Sequence, residues 1–110
     1  MSIAKMKTTP QVFRLDQSNP NPFHKITRIG FSIARVCHVR LLIFNKERKL
    51  VRVLLDEPRT TGEHEIFWNG TDHQGKPLPG GFYTYQMDAD GFVAARKLEI
   101  RSKRGKLKRH

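Results

Sequence analysis

Five histidines and one cysteine are the side chains best suited to metal or acid–base chemistry: His24, His38, His64, His73 and His110, with Cys37. Cys37 adjoins His38, but no second close pair exists, so zinc-finger spacing is missing. His64 and His73 fall at a strand start and in a turn, where solvated histidines are common. Ser18 and Ser32 lack the strand–turn–helix context of an activated nucleophile. Gly80-Gly81 precedes a strand rather than a helix whose N-terminus could hold phosphate. Asn69, Asp72 and the carbonyls of the Gly70–Gly75 turn have the oxygen chemistry of a calcium loop. One carboxylate is little charge for that ion, and Asn and Asp favour turns by bonding their own backbone, which is the preferred reading. Asn69-Gly70-Thr71 also fits the glycosylation pattern, in a turn already explained by Asn-Gly. Trp68, Tyr83 and Tyr85 would make an aromatic platform, but their spacing on strands favours the core. No catalytic residue, metal or cofactor is assigned.

The elements that position these residues must fit into 110 residues, room for one domain. A single cysteine excludes an intrachain disulfide. Met1–Lys7 is followed by no apolar run, so no signal peptide is expected, and no stretch approaches the length of a membrane span. The net charge is +11, and six basic residues lie between Arg101 and Arg109 with no acid among them. Outside that run stand 15 basic and 10 acidic residues, so more than half of the excess lies in the tail. Lys103, Arg104, Lys106, Lys108 and Arg109 could hold nucleic acid or an anionic surface. No aromatic interleaves them as a stacking partner, and a solvated tail is the plainer reading.

The chain divides into a leader (1–11), a folded body (12–101) and the tail (102–110). Short alternating runs mark strands over Val12–Leu15, Lys25–Ile33, His38–Asn45, Leu50–Leu55, His64–Asn69, Phe82–Ala89 and Phe92–Ile100. Pro20 and Pro22 exclude a helix before the second run. Asp56–Gly62 reads as a connection, and Asp90-Gly91 as a two-residue hairpin. The helical alternative over Ala34–Leu42 is β-branched and uncapped, which favours strand. The pattern predicts an all-β, immunoglobulin- or fibronectin-III-like antiparallel sandwich of about seven strands.

Leu15-Asp16-Gln17-Ser18-Asn19-Pro20-Asn21-Pro22-Phe23 resembles the L-x-Q-N-x-P-N-P-F opening of the type A C-terminal sorting domains of the type IX secretion system. Val39-Arg40-Leu41 with Phe44-Asn45 is similar to that family's V-x-L-x-V-Y-D strand. Gly62-Glu63-His64-Glu65-Ile66 with Trp68-Asn69-Gly70 resembles its G-x-H-x-x-x-W-D-G. Asp72, Gly75, Gly81, Tyr83 and Tyr85 continue the pattern, with Pro77 inside it. The same stretch marks the FlgD-type immunoglobulin-like domain of the flagellar hook-capping protein. Ser18 and Asn69 stand where the sorting family has asparagine and aspartate. The resemblance covers Leu15–Arg101. It implies a sandwich whose partner is a protein, either secretion or assembly machinery or a parent polypeptide, and a secreted or cell-surface location.

The expected function is a non-enzymatic interaction module. The last strand, Lys97, Leu98, Glu99, Ile100 and Arg101, is the expected recognised segment, its unpaired edge completed by a partner strand. The alternatives are the nucleic-acid or anionic-surface binder using the tail and, on fold analogy alone, a carbohydrate-binding or adhesion domain.

Overall fold

Side chains that alternate between buried and exposed along extended segments need a second layer facing the sheet, and a chain without helices supplies it as another sheet. The computed structural model has that form and describes residues 12–101. The expected leader and the basic tail, with Lys103, Arg104, Lys106, Lys108 and Arg109, lie outside the described residues.

Seven strands follow in chain order: β1 (Arg14–Leu15), β2 (Thr27–Ile33), β3 (Cys37–Phe44), β4 (Leu50–Arg59), β5 (Gly62–Trp68), β6 (Gly81–Ala89) and β7 (Phe92–Ile100). They form one sheet ordered β1-β2-β5 and another ordered β4-β3-β6-β7, with every strand pair antiparallel. The fourth strand therefore pairs with β3. In the constant-type immunoglobulin arrangement it would join the opposite sheet.

Ile29, Phe31 and Ile33 of β2 face Val39, Leu41 and Ile43 of β3 and Tyr83, Tyr85 and Met87 of β6, all buried. The Ala34–Leu42 region is strand from Cys37 onward, as its β-branched composition predicts. Ala89 pairs with Phe92 across Asp90 and Gly91, whose φ angles are 50° and 87°. Positive φ at both central residues matches the turn to the right-handed twist of its strands. In the β3–β4 hairpin, Asn45 Oδ1 accepts the amides of Glu47 and Lys49, each at 2.9 Å.

β4 differs from expectation by running on through Pro58, which pairs with His38. It is an edge strand with a neighbour on one side only. A residue without an N–H is tolerated there because its outer side owes the ladder no hydrogen bond.

The outer face of the three-stranded sheet is a charge lattice. Arg14 pairs with Asp16 (2.6 Å) and Glu63 (3.2 Å), and Arg28 with Glu65 (3.3 Å). These pairs are exposed and contribute little stability each. Phe67 of β5 is an exposed apolar side chain on the same face.

Candidate interaction edge

The segment between β1 and β2 carries the Gln17–Phe23 motif. Pro20 and Pro22 have no N–H to give, so the backbone of this stretch depends on its neighbours. Asn19 exchanges two backbone hydrogen bonds with Arg28, at 2.9 and 3.0 Å, and Thr27 Oγ1 donates to the Pro20 carbonyl at 2.7 Å. The chain then crosses to the other sheet and lies along the outer edge of β7.

Four contacts close that edge. Gln17 Nε2 donates to the Lys97 carbonyl (2.9 Å), and the Glu99 amide donates to Asn21 Oδ1 (2.8 Å). The Phe23 amide donates to the Glu99 carbonyl (3.0 Å), and the Arg101 amide to the Phe23 carbonyl (2.7 Å). From the core side, Tyr85 donates its hydroxyl proton to the Asp16 carbonyl (2.6 Å) and accepts the Ser18 amide (2.8 Å). Arg96 Nε donates to the Leu15 carbonyl (2.7 Å). Burial, the largest influence, pushes the Tyr85 phenol above its ordinary value and keeps its proton in place for Asp16. Tyr85→Phe leaves the buried Ser18 amide and the half-buried Asp16 carbonyl without this partner. Urea unfolding should show a loss of about 1–3 kcal/mol.

The five residues expected to be recognised are thus placed in two ways. Leu98 and Ile100 are buried, while Lys97, Glu99 and Arg101 turn outward, Arg101 pairing with Glu99 at 3.4 Å. The open edge expected here is absent, because the outward backbone groups named above are already bonded to the opening segment. Gln17, Asn21 and Phe23 were not singled out as site residues. Their signal was the motif itself, which alternates amide side chains with prolines.

The Trp68-to-Tyr85 motif builds the adjoining loop. Trp68 is buried against Phe23 (ring centroids 5.7 Å) and Tyr83 (6.3 Å, edge-on). Its Nε1 donates to the Thr71 carbonyl at 3.0 Å, and Tyr83 donates to the Pro79 carbonyl at 2.7 Å. Gly70 has φ +78°, and a Cβ there would touch Ile100 and Phe23 at 3.6 Å. Gly75 and Gly81 also have positive φ, at 81° and 139°.

The oxygens weighed as calcium ligands are engaged within the protein. Arg52 Nη1 from β4 donates to the Thr71 carbonyl (3.1 Å), Thr71 Oγ1 (2.6 Å) and the Asp72 carbonyl (3.2 Å). Asp72 Oδ1 accepts the amides of Gln74 (2.9 Å) and Lys76 (3.0 Å). Asn69 Oδ1 accepts the Thr71 hydroxyl at 2.7 Å, so these oxygens hold the turn together. The Lys76 amide is the chief cause holding the Asp72 carboxyl below its ordinary 3.8. A depressed folded value means that this stabilisation is full above pH 3.8 and is lost as pH falls through the lower folded value. Asp72→Asn should flatten that part of the acid limb of the thermal midpoint, measured from pH 5 down to about 2.

The four histidines among the described residues are dispersed, and His110 lies outside those residues. His38 Nε2 meets Asp56 at 2.5 Å, and His64 stacks on Phe31 (5.3 Å) with Nε2 donating to the Thr60 carbonyl at 2.6 Å. His24 and His73 are at the surface. Among the described residues no three His, Cys, Asp or Glu side chains gather in metal-binding proximity. Cys37 is half-buried, and burial, ahead of the nearby Asp90, pushes its thiol up.

Two antiparallel sheets, a corner tyrosine bonded four residues upstream, and a tryptophan under the loop define an immunoglobulin-like sandwich domain. The family model for the FlgD Ig-like domain matches residues 25–92, more than half of the chain, and the chain belongs to that family. No curated protein matches the chain. Among solved structures, dimeric latent PorU from Porphyromonas gingivalis superposes with a TM-score of 0.69 at 20% identity, over 87% of this chain and 10% of PorU. FlgD from Helicobacter pylori, in truncated form, gives 0.55 at 14% identity over 89% of this chain and 75% of that one. FlgD from P. aeruginosa gives 0.52 at 15% identity over 84% and 77%. The chain thus spans a tenth of PorU, and these likenesses show the fold. The matched span begins after the opening segment and ends at the start of β7, so the clamp between them lies outside it.

Proposed function

We propose that the chain is a non-enzymatic interaction module serving secretion or assembly at the cell envelope. Its presented element is the outward side of β7, with Lys97, Glu99 and Arg101 as contact residues and Leu98 and Ile100 as anchors in the core. The observation that carries this is the clamp itself. The sorting-type opening and the terminal strand are hydrogen-bonded into one unit although they lie about 80 residues apart. A machine reading that unit meets a folded domain through side chains held on a rigid edge.

The test is export of a reporter carrying the full chain at its C-terminus, behind a signal peptide, in a host with type IX secretion. The unmodified fusion reaches the medium, and the Lys97→Glu/Arg101→Glu fusion is retained although folded. Retention of the unmodified fusion overturns a sorting role. Equal export of both fusions overturns the assignment of β7.

A second reading places nucleic acid or an anionic surface on Lys103, Arg104, Lys106, Lys108 and Arg109. Most arginines of the body are spent on its own acids, among them Arg14, Arg28, Arg35, Arg59 and Arg101, which leaves the tail as the concentrated charge. Duplex binding would then fall with salt by about 0.9 log units per log unit for each phosphate contacted. Reversing the tail charges would abolish it.

A further inference from the structure

The outer face of the four-stranded sheet holds two adjoining open hollows at the end bearing the β3–β4 hairpin. One, of about 420 Å³, is lined by Phe44, Asn45, Arg48, Thr84 and Gln86. The other, of about 280 Å³, shares Asn45, Arg48 and Thr84 and adds Lys46, Phe82, Tyr83 and Lys97. Phe44, Thr84 and Lys97 lie side by side across β3, β6 and β7, with Phe82 two residues along from Thr84. Phe82 is 59% exposed. Among the described residues, none of Lys46, Arg48 and Lys97 has an acidic partner, unlike most of the body's arginines. Against these three cations stand Glu47, which lines a neighbouring hollow with Lys46 and Phe82, and Glu99, opposite Phe82 and paired with Arg101, so the surface stays net positive.

We infer that this surface is a docking site for a short, extended acidic peptide segment carrying an apolar side chain between its carboxylates. The phenylalanines supply the apolar floor, and the three cations around them supply charge complementarity. The hydroxyl of Thr84 and the amide of Gln86 supply hydrogen bonds to an extended backbone. The chain's own basic tail has the wrong sign to fill the site. Nucleic acid fits less well, because the cationic footprint is three groups wide. Beyond Gln86 the face turns neutral at Val93 and Ala95 and acidic–basic at Arg40 and Asp88, which are 4.0 Å apart. A strand-length phosphate track needs a longer row of cations.

This inference rests on the reading of β7 as the presented strand, since Lys97 belongs to both. The test is fluorescence anisotropy of the full chain with a labelled octapeptide of alternating glutamate and leucine at low salt. Lys46→Glu/Arg48→Glu/Lys97→Glu should weaken binding about tenfold or more. Phe82→Ser, at constant charge, should weaken it about fivefold. Reversing Lys103 and Arg104 in the tail should change it less than about twofold. A peptide with serine in place of leucine should bind as weakly as the Phe82 variant does.

Equal binding by wild type and the triple variant overturns the site. So does loss through the tail reversal alone, or tighter capture of a 20-nucleotide oligothymidine at the same three residues. Reporter export that persists while the peptide fails to bind overturns this inference and leaves the reading of β7 standing. Binding that persists while export fails does the reverse.

Discussion

Phe23→Ala should cost about 3–5 kcal/mol of stability and turn a covered edge into a sticky one. Phe23 is 1% exposed, packs on Trp68 and lies over Gly70, while its backbone makes two of the four contacts that seal β7. Removing the ring deletes a large apolar volume and loosens the anchor that holds Asn21 against Glu99. Domains of this size have about 5–15 kcal/mol to lose. Urea titration should show the midpoint fall. Light scattering of the folded fraction should show association through the uncovered outward groups of Lys97, Glu99 and Arg101. A loss under about 1 kcal/mol would mean that the opening segment merely rests on the sandwich.

Trp68→Ala should be at least as damaging, again about 3–5 kcal/mol, and for two separable reasons. The indole fills the space between Phe23 and Tyr83, and its N–H satisfies the Thr71 carbonyl that Arg52 also reaches. Trp68→Phe keeps much of the volume and drops the hydrogen bond, so it should cost about 1–3 kcal/mol. If the phenylalanine variant were as unstable as the alanine one, the hydrogen bond and not the packing would be holding the loop.

Period-two alternation made the architecture legible. Ile29, Phe31 and Ile33 in β2 and Tyr83, Tyr85 and Met87 in β6 could only be inward rows. Asp90-Gly91 announced its hairpin because positive φ is costly for nearly every other pair. The end of β4 was hidden: Asp56, Glu57 and Pro58 read as a connection, and only knowledge that the strand is an edge makes a proline there acceptable.

The site was less legible than the fold. Arg52 lies 19 residues from Thr71, and nothing local shows that its guanidinium completes that turn. The seal on β7 joins Gln17 to Lys97 and Asn21 to Glu99, across 80 and 78 residues. Single-sequence patterns carry no information about contacts so distant. The last strand could be recognised as the end of the sheet, but its covered edge could not. The resemblance at Leu15–Phe23 marked the segment that lies along β7 without saying what it holds.

That seal can be read residue by residue from backbone amide exchange of the full chain. Glu99 and Arg101 donate outward from the sheet, to Asn21 and Phe23. Their amides should exchange as slowly as those paired inside the β6–β7 ladder, and should speed up together in Phe23→Ala. Exchange of both at the rate of an exposed turn amide in the unmodified protein would contradict the account. It would show β7 open along its outer edge.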